Sequence, residues 1–256
     1  MKKPLGVVLY EGPSLIDGKP IVVIANGFQK KGKNGKIGDM LQCWILRSDI
    51  APLDASSCGD DYSICGSCVN RHFRSCYVNL AHGPSHVYDA YKRGRYNEYN
   101  GDILELFRDK QVRLGAYGDP ASTPFHIWES ICSVAYRTTG YTHSWRTCEP
   151  ALKEFCMASV DTIREKNTAV ARGWRTFRVR LEEEEVKSDE IMCPASKEAG
   201  VKSDCSKCNG CNGLSSKMKK NVSIIVHGIS WKVLYYKIGI KKYKNKKKYA
   251  REYATV

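Results

Sequence analysis

Four cysteines near the C-terminal end, Cys193, Cys205, Cys208 and Cys211, constrain this chain more than any other feature. Their spacing is C-x11-C-x2-C-x2-C, with Pro194 directly after the first. Two successive two-residue gaps put three thiols on one tight loop, which is how a cubane iron–sulfur cluster is usually gripped, and a Cys-Pro pair supplying a distant fourth ligand is a ferredoxin habit. Structural zinc more often uses two separated C-x2-C pairs, because a tetrahedral ion is easily clamped between two knuckles. An iron–sulfur cluster of the 4Fe-4S type is the first expectation, and zinc the second.

A second group, Cys58, Cys65, Cys68 and Cys76, reads C-x6-C-x2-C-x7-C, with His72 inside the last gap as a substitute ligand. Eight of the twelve cysteines thus fall into two groups of four. An even count also suits disulfides. The chain, however, starts MKKPLGVVLYEG with no apolar signal segment, which predicts that it stays in the cytoplasm. A reducing cytosol favours metal ligation over structural disulfides. Cys43, Cys132, Cys148 and Cys156 have no ligand spacing, and buried inert thiols are the default for Cys43 and Cys132.

A chain of 256 residues can bury a sizeable core without help from metal. It has no run of about 18 apolar residues, so no membrane span or membrane partner is expected. The net charge of +14 is uneven: from Leu214 to Val256 there are twelve Lys/Arg and one acid, which accounts for +11 of it. The stretch 241–251, bounded by Lys241 and Arg251, interleaves lysines with tyrosines. Lysines neutralise phosphates and tyrosines stack on bases, so it offers a sequence-blind nucleic-acid contact. A solvated, partly disordered terminus is the plainer expectation.

The hydrophobic pattern reads as α/β. Strands are predicted at 19–26 (KPIVVIAN), 41–47, 112–117, 141–145, 156–160, 174–180, 191–193 and 222–226. Helices are predicted at 83–93, from Ser122 or Thr123 with Pro124 in the first turn, and from Asp161 to Arg172 with a stop at Gly173. Residues 52–79 look irregular, LEEEEVKSDE reads as a polar connection, and 32–38 form a glycine- and lysine-rich loop without a phosphate-binding motif. Alternating strands and helices imply parallel pairing through right-handed crossovers. The expected fold is a partial or nearly closed β/α-barrel-like parallel sheet with cysteine-rich metal-binding loops. It spans 1–213 with a final strand at 222–228, followed by the basic tail 229–256.

In such folds, sites gather beyond the carboxyl ends of the strands. Those ends carry Asp119, His143, Asp161, Arg180, Cys193 and His227. Asp119, His143, Asp161 and Arg180 are the candidates to bind or orient a substrate. Each has a plainer reading: Asp119 and Asp161 as helix caps, His227 as a strand end, and Arg178 with Arg180 as one solvated or ligand-facing side. There is no G-x-S-x-G elbow, H-E-x-x-H or G-x-G-x-x-G after a strand, and no deaminase P-C-x-x-C motif.

The motifs YEGPSLIDGKPIVVI, GDMLQCWILRSD, ICGSC with RSCYVN, RLGAYGDPA, GYTHSW, CMASVD, GWRTFRVR, and CPASKEAG with DCSKCNGCNG resemble a family of bacteriophage proteins named after gene product 88. The resemblance runs in order over roughly residues 8 to 228. It implies a phage or prophage protein acting in the cytoplasm of a bacterial host, and it brings no activity with it. A more distant likeness is to radical S-adenosylmethionine enzymes, which are partial β/α barrels with an early cysteine cluster and auxiliary clusters in C-terminal segments. That likeness implies an early cluster on Cys65, Cys68 and Cys76, cofactor binding at Gly118 and Asp119, and an auxiliary cluster on the C-terminal quartet. Their early motif is C-x3-C-x2-C, a spacing that occurs nowhere here. A fourth thiol would also close the iron that must stay open for S-adenosylmethionine.

Two function classes follow. One is an iron–sulfur enzyme with a substrate site at the strand ends. The other is a zinc-stabilised binding protein whose basic tail grips nucleic acid.

Overall fold

The run PIVVIAN does what its composition demands: Ile21, Val22, Val23, Ile24 and Ala25 are completely buried in a strand covered on both faces. The computed structural model containing it describes residues 3–29, 39–96, 101–208 and 210–245. Among them the strands are β1 (Gly6–Pro13), β2 (Pro20–Asn26), β3 (Leu41–Arg47), β4 (Gln111–Tyr117), β5 (Arg137–Thr142), β6 (Met157–Val160), β7 (Thr176–Arg180), β8 (Glu190–Met192) and β9 (Asn221–Ile225). They form one nine-stranded sheet in the order β1-β2-β3-β4-β5-β6-β7-β9-β8. β1, β2 and β3 pair antiparallel, and every pair from β3 onward is parallel.

The α/β class holds, and the sheet is mostly parallel. It is open, however, with β1 and β8 at its edges, so the nearly closed barrel is corrected. The reason lies at those edges. An antiparallel hairpin occupies one end, and the other ends in a three-residue strand that pairs only with β9. β1 was not foreseen, because a short GVVLYEGP run flanked by glycine and proline carries little period.

The helices are α1 (Pro52–Cys58), α2 (Tyr62–Cys65), α3 (Val69–His72), α4 (Gly83–Lys92), α5 (Phe125–Val134), α6 (Ile163–Ala171), α7 (Cys205–Cys208) and α8 (Ser230–Asn245). The stretch expected to be irregular at 52–79 therefore contains three short helices. Asp119 caps a single 3-10 turn at Pro120–Ser122, and α5 begins later than the sequence suggested. α6 is capped by Thr162, whose hydroxyl accepts from the Glu165 amide at 3.1 Å, so Asp161 is released from the capping role.

Two packed faces result. The larger core joins β2 to β6 with Trp128 and Ile131 of α5 and Ala169 of α6. A smaller one gathers Met157, Cys193, Cys211, Val222 and Ile224. The basic tail differs most from expectation. Residues 230–245 form α8, with Tyr236 and Ile240 completely buried against Leu181, Phe73 and Val179. Tyr236, Ile240 and Tyr243 repeat at helical spacing, and burying the first two contributes about 1.5–3 kcal/mol each. Gly239 permits the contact, since a Cβ there would stand 2.4 Å from the Phe73 ring. The loop 32–38 and the tail beyond 245 lie outside the described residues. No described helix is long and apolar enough to cross a membrane.

The acidic connection after β7 is largely exposed but is tied down by two buried arginines. Arg178 is fully buried and forks onto Glu190, with Nε and Nη2 both 2.7 Å from its carboxylate oxygens. Arg180 donates through Nη1 to the Glu184 carbonyl at 2.6 Å and, at longer range, to those of Leu181 and Glu182. Breaking a buried pair strands the remaining charge. Glu190→Ala is expected to lower unfolding stability by about 3–5 kcal/mol in urea titrations, with β8 detaching first in hydrogen exchange.

Candidate redox site at the strand ends

Asp119 organises the upper end of the sheet. Its amide donates to the Ile64 carbonyl at 2.6 Å, which fastens α2 to the carboxyl end of β4. Its carboxylate accepts from the amides of Ala121 (3.0 Å), His143 (2.8 Å) and Ser144 (3.3 Å). Asp119 therefore joins the β4 end to the loop after β5, and the capping reading accounts for its side chain. Gly118 lies at φ +85°, and a Cβ there would stand 2.6 Å from Ile45 Cβ. The glycine lets β3 and β4 approach closely at this end.

The same fastening sets Cys65 beside the strand ends. Arg71 holds the segment shut, with Nε 2.5 Å from the buried Asp61 carboxylate and Nη2 on the Gly59 carbonyl. Cys65, Cys68 and Cys76 lie along this segment within electrostatic range of one another. Burial first, and then the sulfurs of Cys68 and Cys76, push the Cys65 thiol well up. Cys76 is pushed up to about 11 by burial and then by Cys68. Cys58 stands apart: its side chain is exposed and lies 3.0 Å from Asp60 Oδ2. The four-cysteine group thus separates into a trio and one outlier.

His143 faces the trio. Its Nε2 lies 3.8 Å from Cys68 Sγ and 3.4 Å from Asp161 Oδ2. Burial works to lower its pKa, but the Cys68 sulfur and the Asp161 carboxylate outweigh it and hold the imidazole well above its ordinary value. Asp161, 2% exposed, accepts a 3.0 Å hydrogen bond from the Tyr236 hydroxyl of α8. Lys232 of α8 donates to the carbonyls of Cys76 (2.6 Å) and Val78 (2.9 Å). The helix thereby roofs the trio, and sequence reasoning missed both Tyr236 and Lys232. The signal was the Tyr236/Ile240/Tyr243 period inside the lysine run.

Of the sequence-predicted residues, His143 and Asp161 meet at the trio, and Asp119 supports them from behind. Arg180 is not drawn to them, since its hydrogen bonds close its own loop. His227 lies tilted against Tyr77, with 6.2 Å between ring centres.

The C-terminal quartet lies elsewhere in the fold. Cys193, Cys205, Cys208 and Cys211 all line a cavity of about 20 Å³, together with Gln111, Arg137 and Tyr141. The Cys211 thiol is raised by burial, a rise that a hydrogen bond with Tyr141 opposes. Among the described residues, no three His, Cys, Asp or Glu side chains converge closely enough to hold a single metal ion. The remaining cysteines pack in the larger core, and burial pushes Cys132 and Cys148 up to about 12, as inert thiols should behave.

Compared with known proteins, the chain matches no family model, no curated protein and no solved structure.

The His143–Asp161 contact makes a direct prediction. Asp161→Asn removes the anionic neighbour, so the imidazole loses part of what favours its charged form. Its pKa is expected to fall, read as a lower titration midpoint of the His143 ring nitrogens by NMR. An unchanged midpoint would show that Cys68 alone sets it.

Proposed function

We propose that this chain is an iron–sulfur enzyme whose reactive centre is held by Cys65, Cys68 and Cys76 beside His143 and Asp161. The observation that carries the reading is the separation of Cys58 from the other three. Three thiols occupy three corners of a cubane cluster and leave one iron able to bind a small molecule. A fourth thiol in reach would have closed that position.

The donor chemistry favours clusters over zinc. The C-x2-C-x2-C spacing of Cys205, Cys208 and Cys211, with the Cys193-Pro194 pair as a distant fourth ligand, is what favours a second, fully thiolate-ligated cluster at the quartet.

With a cluster on the trio, the open iron would supply one electron to a bound cofactor such as S-adenosylmethionine. The chain's own residues do the rest. His143, whose pKa the Cys68 sulfur and the Asp161 carboxylate hold above its ordinary value, would offer a proton at Nε2, while Tyr236 holds the Asp161 carboxylate in place. The motif resemblance to the gene-product-88 family is the reason for proposing that this chemistry would run in the cytoplasm of a phage-infected bacterium.

Single cysteine variants test the assignment. Cys58→Ala is expected to keep the full iron and sulfide content. Cys65→Ala, Cys68→Ala and Cys76→Ala each lose about four irons per chain, together with any dithionite-dependent cleavage of S-adenosylmethionine to methionine and deoxyadenosine. Equal iron loss in Cys58→Ala would sink the three-thiol centre.

A further inference from the structure

Exposed apolar side chains are spread unevenly over this molecule. Among the described residues thirteen large ones are exposed, and five of them, Ile229, Trp231, Leu234, Tyr235 and Ile238, fall within ten consecutive positions, each 46–53% exposed. The last four follow i, i+3, i+4, i+7 in α8, so they form one ridge along the helix. The opposite side of α8 carries Tyr236 and Ile240 into the core, and Lys232 and Tyr236 bond it to the Cys76 carbonyl and to Asp161. The ridge is thus presented by a helix already fixed in place. Single exposed apolar residues mean little, but a contiguous ridge marks an interaction surface.

The charge beside the ridge has one sign. Lys237, Lys241 and Lys242 are exposed, and Ser230–Asn245 contains no acidic residue. Of the α8 lysines only Lys244 meets an acid among the described residues, Glu184 at 2.7 Å. The sequence that follows, 246–251, adds four further Lys/Arg. The occupant of the ridge is therefore apolar at its centre and negative around it.

Residue types select among such occupants. A second copy of the chain would set lysines against lysines. A nucleic acid would stack on Trp231 and Tyr235, but the aliphatic Leu234 and Ile238 give bases no platform. A rigid protein would need a hollow shaped to a convex ridge, whereas a fluid bilayer adapts to it. The ridge also divides as a bilayer surface does: Leu234 and Ile238 suit the acyl boundary, the Trp231 and Tyr235 rings the headgroup level, and lysines the phosphates. Beside the ridge a groove of about 300 Å³, lined by Phe73, Tyr235, Ile238, Gly239, Lys242 and Tyr243, offers room for an acyl segment with a lysine at its wall.

We infer that the outward side of α8 adsorbs this protein to an anionic phospholipid surface, with the apolar ridge in the interface and Lys237, Lys241 and Lys242 on the lipid phosphates. Adsorption of this kind needs no helix that crosses the membrane, so the lack of a spanning segment in the sequence does not bear on it. It also holds whatever the cysteines ligate, and so stands apart from the iron–sulfur reading.

Trp231 makes the contact readable, because it is the one exposed tryptophan of the five. The full chain is titrated with vesicles of phosphatidylglycerol mixed into phosphatidylcholine, and with pure phosphatidylcholine as the control. Sedimentation with the anionic vesicles alone is expected, weakening as salt is added. Tryptophan emission is expected to shift to the blue and to be quenched by brominated acyl chains, and Trp231→Phe to lose both signals. Leu234→Ser with Ile238→Ser is expected to weaken adsorption about tenfold or more. Reversing Lys237, Lys241 and Lys242 to Glu together is expected to weaken it at least as much and to remove its salt dependence. These side chains are exposed, so circular dichroism is expected to stay unchanged in both variants.

Equal adsorption to pure phosphatidylcholine, or adsorption that survives both sets of substitutions, would overturn the proposal. So would failure to bind anionic vesicles at low salt. Three further results without vesicle binding would reassign the ridge: tight binding of a single-stranded oligonucleotide, tight binding of a glutamate-rich amphipathic helical peptide, or a dimer in sedimentation velocity that Leu234→Ser with Ile238→Ser dissolves.

Discussion

The upper end of this sheet depends on Asp119. Its amide holds α2 through Ile64, and its carboxylate holds the loop that begins with His143. One residue thereby sets the distance between the cysteine loop and the imidazole facing it. The carboxylate is buried, and burial raises its pKa against the opposing pull of the amides and hydroxyls it accepts from. A charge kept in such a place must be well hydrogen-bonded to be tolerated. The three amides on Asp119 meet that demand, which makes it a scaffold for its neighbours.

Much of this was legible in the sequence. Most strands from β2 onward read as apolar runs, and their carboxyl ends point to Asp119, His143 and Asp161; β5 is the exception, expected at 141–145 but formed by the polar run Arg137–Thr142. Spacing sets eight cysteines apart from the other four, yet Cys65, Cys193 and Cys211 of the eight also pack in or against the cores. Spacing could not say which members of the early group meet. That depends on where α1 ends at Gly59, in the left-handed region at φ +91°, and on Arg71 clamping the following loop. Arg178 and Arg180 misled because alternation shows a shared side and not what covers it. The cover is the acidic stretch after β7, folded back so that Glu190 and the 181–184 carbonyls receive both guanidinium groups. The tail misled through composition, since five lysines in Ser230–Asn245 hide an apolar period of three residues.

The two cysteine groups differ in setting. The trio lies at the strand ends beside His143 and next to α8, whose Lys232 bonds the Cys76 carbonyl. The quartet sits deeper, lining a cavity with Tyr141 and Arg137 and packing through Cys193 and Cys211 into the smaller core. The loop carrying Cys208 and Cys211 is held to the sheet by backbone contacts. The Gly140 amide donates to the Cys211 carbonyl at 3.1 Å, and buried Arg175 donates to the carbonyls of Gly210 and Gly213. These contacts tie the cysteine loop to β5 and to the buried Arg175 at the far side of the open sheet.

The most direct measurement is iron, acid-labile sulfide and zinc per chain in protein purified without oxygen, alongside its visible spectrum. The account predicts a brown protein with about eight irons, a matching amount of sulfide and little zinc. A colourless protein with one or two zinc ions and no sulfide would contradict it.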